Sequence, residues 1–137
     1  MAINPNDCSV FIQIWVDTNA ASQGSTAGIY LVDNQVSRGS QNEGTPSLST
    51  AATQNSNVCF SLLNIDCQDT STLSIVNMGN SDAYGFNGTP QQFSPTVWTG
   101  TLANGQVSAP YSAVLNITKQ GGGGSITTQV NPSFQVA

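Results

Sequence analysis

The residues that could do chemistry are few, and the absence of one type shapes the rest: the 137-residue chain contains no histidine. That removes the usual general base, the usual activator of a serine or cysteine nucleophile and the commonest transition-metal ligand. A serine–lysine arrangement would have to use Lys119, which sits beside the glycine run with no patterned serine motif nearby. Cys59 falls within an apolar stretch and Cys67 in a turn-like one, so both read as small packing or loop residues rather than activated thiolates. Paired carboxylates are the remaining enzymatic option. Asp66 and Asp69 in NIDCQDT are close enough in sequence to share a cleft, as the two carboxyls of a glycosidase must. Their setting is that of turn residues, in which Asp and Asn cap backbone groups, and that reading is preferred. The same holds for calcium. Acidic loops at 17–19, 33–35, 66–69 and 80–82 offer oxygen ligands without the spacing of a known calcium loop, so no metal, cofactor or catalytic residue is expected.

Binding chemistry is better represented than catalysis. Ser, Thr, Asn and Gln supply hydroxyl and amide groups in abundance, and Trp15, Tyr84, Phe86 and Trp98 are aromatic faces on which a sugar could stack. Tyr84 and Phe86 lie in GNSDAYGFNGTP, so dense in turn residues that a long loop is expected there, with Asp82 beside them. Tyr84, Phe86, Trp98 and Asp82 therefore form the candidate ligand-binding set, whereas Trp15 reads as a sheet-packing residue. Two cations, Arg38 and Lys119, stand against seven carboxylates for a net charge of −5. No basic patch is available for phosphates, which argues against nucleic acid and anionic membrane surfaces as partners. So little charge also opposes packing of one copy on another only weakly, which suits regular self-association into a homo-oligomer.

The elements that must position these residues are strands. In SVFIQIWVDT (9–18), Val10, Ile12, Ile14 and Val16 fall on one side of an extended backbone and Phe11, Gln13, Trp15 and Asp17 on the other. GIYLVDNQV repeats the pattern with Ile29, Leu31 and Asp33 against Tyr30, Val32 and Asn34. SNVCFSLLNID is apolar on both sides and is expected to be central. SLSTAATQ reads as a short edge strand with little core contribution. TLSIVNM alternates Leu73, Ile75 and Asn77 against Val76 and Met78. QQFSPTVWTGTL is an edge or bulged strand because of Pro95, and ANGQ a tight turn centred on Asn104-Gly105. YSAVLNIT puts Tyr111, Ala113, Leu115 and Ile117 on one face. Gly121–Gly124 is a flexible connection or a tight hairpin, followed by a last strand interrupted near Pro132. One all-β domain spanning 1–137 is expected, a two-sheet antiparallel β-sandwich of seven or eight strands, Ig-like or jelly-roll-like, with a small barrel as the alternative.

No apolar run is long enough to span a membrane, and MAINPNDCS has neither a basic nor a hydrophobic leader region. Three cysteines, Cys8, Cys59 and Cys67, suit a reducing cytoplasm, with a Cys59–Cys67 bridge left open should the protein be exported.

The order of segments resembles a known family. A strand ending in VDTN, then IYLVDNQV, SNVCFSLLNID, WTGTLANGQVSAPYSAVLNI and a closing NPSFQV are together similar to the PixA/AidA inclusion-body protein family of bacteria. The chain departs from that pattern at GGGGSITTQV, where the family carries an aromatic, charged segment. The resemblance implies a cytoplasmic β-sandwich that accumulates to high levels, in some members as crystalline inclusions, and it carries over no catalytic residues. Two functions follow as expectations: a non-enzymatic, self-associating inclusion-type protein and, as the alternative, a lectin-like carbohydrate-binding module.

Overall fold

The computed structural model describes residues 2–119, 121 and 124–137. Eleven strands follow in chain order: β1 (Val10–Val16), β2 (Ile29–Asp33), β3 (Ser49–Ala52), β4 (Ser56–Asn64), β5 (Thr72–Met78), β6 (Gln91–Ser94), β7 (Val97–Leu102), β8 (Val107–Pro110), β9 (Ala113–Thr118), β10 (Ser125–Val130) and β11 (Ser133–Val136). They form a five-stranded sheet, β2-β1-β4-β7-β6, and two three-stranded sheets, β10-β9-β5 and β3-β11-β8. The expectation of an all-β chain holds; the count and the sheet arrangement differ from it. Short single-turn helices at Pro5–Asp7 and Val36–Arg38 are the helical segments described. No helix among the described residues is long and apolar enough to cross a membrane.

The alternation in β1 is realised residue for residue. Val10, Ile12, Ile14 and Val16 are buried while Phe11 and Gln13 are exposed. Each such apolar side chain contributes about 1.5–3 kcal/mol on burial. The same phase holds in β2 (Ile29, Leu31), in β9 (Ala113, Leu115, Ile117) and at Tyr111 just before it. β4 lies at the centre of its sheet, as its two apolar faces require. Its inner residues Val58, Phe60 and Leu62 belong to one buried core with residues of both smaller sheets. An aromatic cluster joins the layers, with Tyr111 stacked on Phe134 of β11 at 4.4 Å and Phe60 at 5.5 Å from Tyr111.

The structure departs from the sequence reading at six places. β1 and β4 pair in parallel, as do β3 and β11, so the architecture is mixed rather than antiparallel. A parallel pair needs a long crossover, and here β2 and β3 occupy the connection between β1 and β4. The stretch holding Pro95 folds as two strands, β6 and β7, reversing at Ser94–Val97. The last segment splits at Asn131-Pro132 into β10 and β11, which lie in different sheets. β8, which the sequence reading leaves unassigned, is a strand paired with β11; Asn104-Gly105 passes the chain between sheets rather than closing a hairpin. A bulge between Ile75 and Asn77 shifts the phase of β5, so Met78 is buried and Asn77 exposed. β3 is an edge strand but no minor one, since Thr50 and Ala52 are buried. β9 and β10 form an antiparallel pair; the glycine run expected to join them lies partly outside the described residues.

Candidate functional site

The four residues grouped by sequence reasoning are not brought together. Ala83 and Tyr84 turn inward: Tyr84 is wholly buried against Phe134, with ring centroids 5.9 Å apart, and offers no stacking face. Its hydroxyl has no hydrogen-bond partner, and burial pushes its pKa well above the ordinary range. Phe86, just past Gly85 at φ +68°, is 97% exposed. Trp98 is half-buried, and its indole N–H donates to the Ile75 carbonyl at 3.1 Å, bridging the five-stranded sheet to β5. Asp82 is exposed, and its backbone carbonyl accepts from Asn104 Nδ2 at 2.7 Å. None of the four lines any of the clefts described below. A loop rich in turn residues hides which of its aromatics the core will claim, because that depends on strands distant in sequence.

The carboxylates behave as turn acceptors. Asp17 accepts from the Asn19 amide at 3.0 Å, Asp66 from the Gln68 amide at 3.0 Å, and Asp33 from the Gln35 amide at 2.8 Å. Asp69 accepts from the Thr18 hydroxyl and from the amide and hydroxyl of Ser71. These bonds, Thr18's foremost, hold its carboxyl down at about 2. A group so easily ionised cannot serve as the protonated acid that glycoside cleavage needs. Lys119 lines a small cleft with Thr18, Asn19, Asp69 and Ser71. No cluster of three or more metal-ligating acid, thiol or imidazole groups occurs among the described residues. Cys67 is exposed and unbridged; the neighbour of the Cys59 thiol is Cys8, not Cys67. Burial pushes the Cys8 thiol up to about 11 and raises Cys59 as well.

What the strands do assemble is an aromatic face. On the outer side of the five-stranded sheet, Trp15 is flanked in register by Tyr30 of β2 and Leu63 of β4. In the next row, Gln13 lies between Val32 and Ser61, and beyond it Phe11 lies beside Cys59. Phe11 on β1 and Tyr30 on the edge strand β2 are 39% and 42% exposed, high values for large apolar side chains. The Trp15 indole N–H donates to Gln13 Oε1 at 3.1 Å, which fixes both side chains on the surface. Asn34 closes the lower row, accepting from the Phe11 amide at 3.0 Å and donating to the Ser9 carbonyl at 3.1 Å. A shallow cleft lies between Phe11, Gln13, Val32, Asp33 and Asn34.

The rest of this outer face is covered by the chain's own beginning. The Thr99 hydroxyl of β7 donates to the Ile3 carbonyl, Asn57 of β4 donates to the Asp7 carbonyl, and Cys8 lies against Cys59. Residues 3–8 thus lie over Asn57, Cys59 and Thr99 and leave the rows around Trp15 and Gln13 open. No charged side chain stands in the three rows around Trp15, Gln13 and Phe11. The sequence signal lies in the outward phase of β1 and β2, where composition alone reads Trp15 as a packing residue.

One pair was not visible at all. Glu43, in the β2–β3 connection, reaches back to β2: the Asp33 amide donates to Glu43 Oε1 at 2.9 Å, which sets the two carboxyl groups beside each other. Desolvation foremost, and the contact with the Asp33 carboxyl, raise the Glu43 pKa. Asp33 also accepts from the buried Thr50 hydroxyl at 2.7 Å. Nothing in the spacing of Asp33 and Glu43 signals a contact across an irregular loop.

With this geometry, comparison with known proteins is informative about fold and family. Residues 8–122 match the family described as Domain of unknown function (DUF8788). The chain belongs to that family. No curated protein matches its sequence. Among solved structures, the chain is similar to the PixA inclusion body protein of Burkholderia cenocepacia J2315, with a TM-score of 0.70 over 98% of this chain and 100% of that one. Sequence identity between the two is 11%, so the likeness is one of fold. The segment order that resembled the PixA/AidA family thus corresponds to a shared three-dimensional arrangement.

Proposed function

We propose that this DUF8788 protein is a non-enzymatic, self-associating β-protein whose copies meet through the open outer face of the five-stranded sheet. The observation that carries the reading is that face: Phe11, Trp15, Tyr30, Val32 and Leu63 side by side, partly exposed, and free of charge in a chain of net charge −5. Contiguous apolar surface of this kind marks interaction sites. An uncharged patch is where two copies of an acidic protein meet with least repulsion. Tyr and Trp bury about 150–250 Å² each and are enriched at interfaces because they combine apolar area with a polar atom. The PixA protein of the same fold is described as an inclusion body protein, which is consistent with a storage, assembly or host-interaction role. Three free thiols fit a reducing cytoplasm.

Sedimentation velocity over a concentration series tests the reading, with wild type beside Tyr30→Glu. The substitution sets a carboxylate beside Trp15 at an exposed position, so it leaves the fold intact while burying a charge in any interface. Wild type is expected to grow into defined oligomers with rising concentration, and Tyr30→Glu to associate at least about tenfold more weakly. A monomeric wild type, or a variant that assembles identically, sinks the proposal. A carbohydrate-binding role keeps support at this same face, where Trp15 and Tyr30 lie in register beside the Gln13 amide. Dissociation of the oligomer by a neutral sugar would favour that second reading.

A further inference from the structure

A second surface, on the β3-β11-β8 sheet, has the makings of a small-ligand site. The outer face of the β3-β11-β8 sheet is concave and forms a cleft of about 460 Å³, within the range of about 300–1,000 Å³ typical of small-molecule sites. Its floor is low because Ala51 stands in register beside Gln135, which stands beside Ser108. Thr53, Gln106, Ser108 and Gln135 supply hydroxyl and amide groups around it, and Arg38 closes one side.

Arg38 is held there by the fold. It ends a single helical turn, its amide donating to the Gln35 carbonyl at 2.9 Å, and Gly39 at φ +111° terminates the turn. The loop is then tied to β3: the Ala51 amide donates to Ser40 Oγ at 3.0 Å, and Gln41 and Ser49 exchange backbone bonds at 2.9 and 3.0 Å. Across the cleft, Gln106 adopts φ +54°, a conformation that residues other than glycine rarely take and that concentrates at functional positions. The Gln135 Nε2 already donates to Ser49 Oγ at 2.8 Å, which orients its Oε1 as an acceptor.

The Arg38 guanidinium has no ion-pair partner among the described residues, although the chain carries seven carboxylates and one other cation. A guanidinium presents a planar fork that matches a carboxylate bidentately. A single positive charge in a molecule of net charge −5 also selects against ligands of higher charge, because repulsion from the rest of the protein grows with the charge of the ligand while the attraction comes from one group.

We infer that the cleft between Arg38 and the β3-β11-β8 sheet binds a small organic monocarboxylate with a hydroxyl-rich body, its carboxylate on Arg38 and its hydroxyls on Thr53, Gln106, Ser108 and Gln135. This site is separate from the association face and does not depend on it.

The test is an amide chemical-shift titration of the intact protein with D-glucuronate, D-glucose and inorganic phosphate. Glucuronate is expected to move the amides of Ala51, Ser108 and Gln135 saturably, glucose to bind at least about tenfold more weakly, and phosphate likewise. Arg38→Gln removes an exposed side chain with no structural partner, so the spectrum should stay dispersed while glucuronate binding weakens at least about tenfold. Ser108→Phe, an exposed edge-strand substitution that fills the cleft with Arg38 retained, should abolish the shifts as well. Equal binding of glucose and glucuronate, retention of binding in Arg38→Gln, or tighter binding of phosphate would each overturn the inference. So would shifts in Phe11, Trp15 and Tyr30 instead, which would move the sugar chemistry to the association face.

Discussion

Glu43 reaches back to accept the Asp33 amide, which sets its carboxyl beside that of Asp33 and favours a proton on Glu43. Glu43 Oε2 is shut from solvent with no partner, and the Tyr111 ring buried nearby also feels the Asp33 charge. Because the folded-state pKa of Glu43 is raised above its ordinary value of 4.5, the folded protein holds this proton more tightly than the unfolded chain does. The resulting stabilisation is fully present below 4.5 and is lost as pH rises through the folded value. Glu43→Gln keeps an acceptor for the Asp33 amide and replaces the titrating carboxyl with a neutral amide. Between about pH 4 and about pH 7 the wild type should therefore lose stability relative to this variant, by less than about 1 kcal/mol because Glu43 is partly in contact with water. Thermal unfolding of both proteins across that range checks the sign; a constant difference would show that folding does not raise the Glu43 pKa. Asp69 acts in the opposite direction, its lowered pKa favouring the folded state above the ordinary 3.8, and it contributes equally to both proteins. That the Asp and Asn residues of the turns would cap their own backbone was legible from their types alone. That Glu43 would meet Asp33 was not, because an irregular loop carries no period from which a contact can be read.

At the scale of elements, most of the strands announce themselves, and what escapes is where they go next. β1, β2 and β9 bury the residues their alternation predicts, since side-chain direction along a strand is set by the pleat. The bulge in β5 escapes because an extra residue changes phase without changing composition. The connection from β5 to β6 shows how closely such a segment can be bound to the body. A Cβ on Gly88 would overlap the carbonyl oxygens of Tyr84 and Thr101, and the Thr101 amide donates to the Gly88 carbonyl at 3.0 Å. Gly88→Ala must push this loop off β7 and disturb the seat of Tyr84, at a cost of about 1–3 kcal/mol. A fall in the denaturant midpoint without a change in slope is the expected result; an unchanged midpoint would mean that the loop shifts freely. Dense turn residues advertised this segment as surface, and its backbone is indeed irregular. Its aromatic Tyr84 is core all the same, because the gap beside Phe134 and Tyr111 needed a large ring.

At the scale of the whole molecule, charge and shape act together. A net charge of −5 sets a long-range repulsion between copies, while the rows around Trp15, Gln13 and Phe11 proposed to join them carry none of it. Screening shortens the reach of that repulsion from about 30 Å at 0.01 M salt to about 10 Å at 0.1 M. Association should therefore tighten as salt is added, readable in the same sedimentation series; weakening by salt would point to charge pairs at the contact. The sequence by itself determined which side of each regular strand turns inward, that β4 is central, that charge is scarce and that histidine chemistry is absent, since composition and neighbouring residues are enough for all of these. Only the tertiary structure decided the parallel pairing of β1 with β4 and of β3 with β11, the division into three sheets and the burial of Tyr84. It alone left Phe11, Trp15 and Tyr30 open, and it alone set Arg38 over a cleft built from β3, β8 and β11. Each of these depends on which distant segments meet, and that is settled by the joint packing of one core drawn from all three sheets.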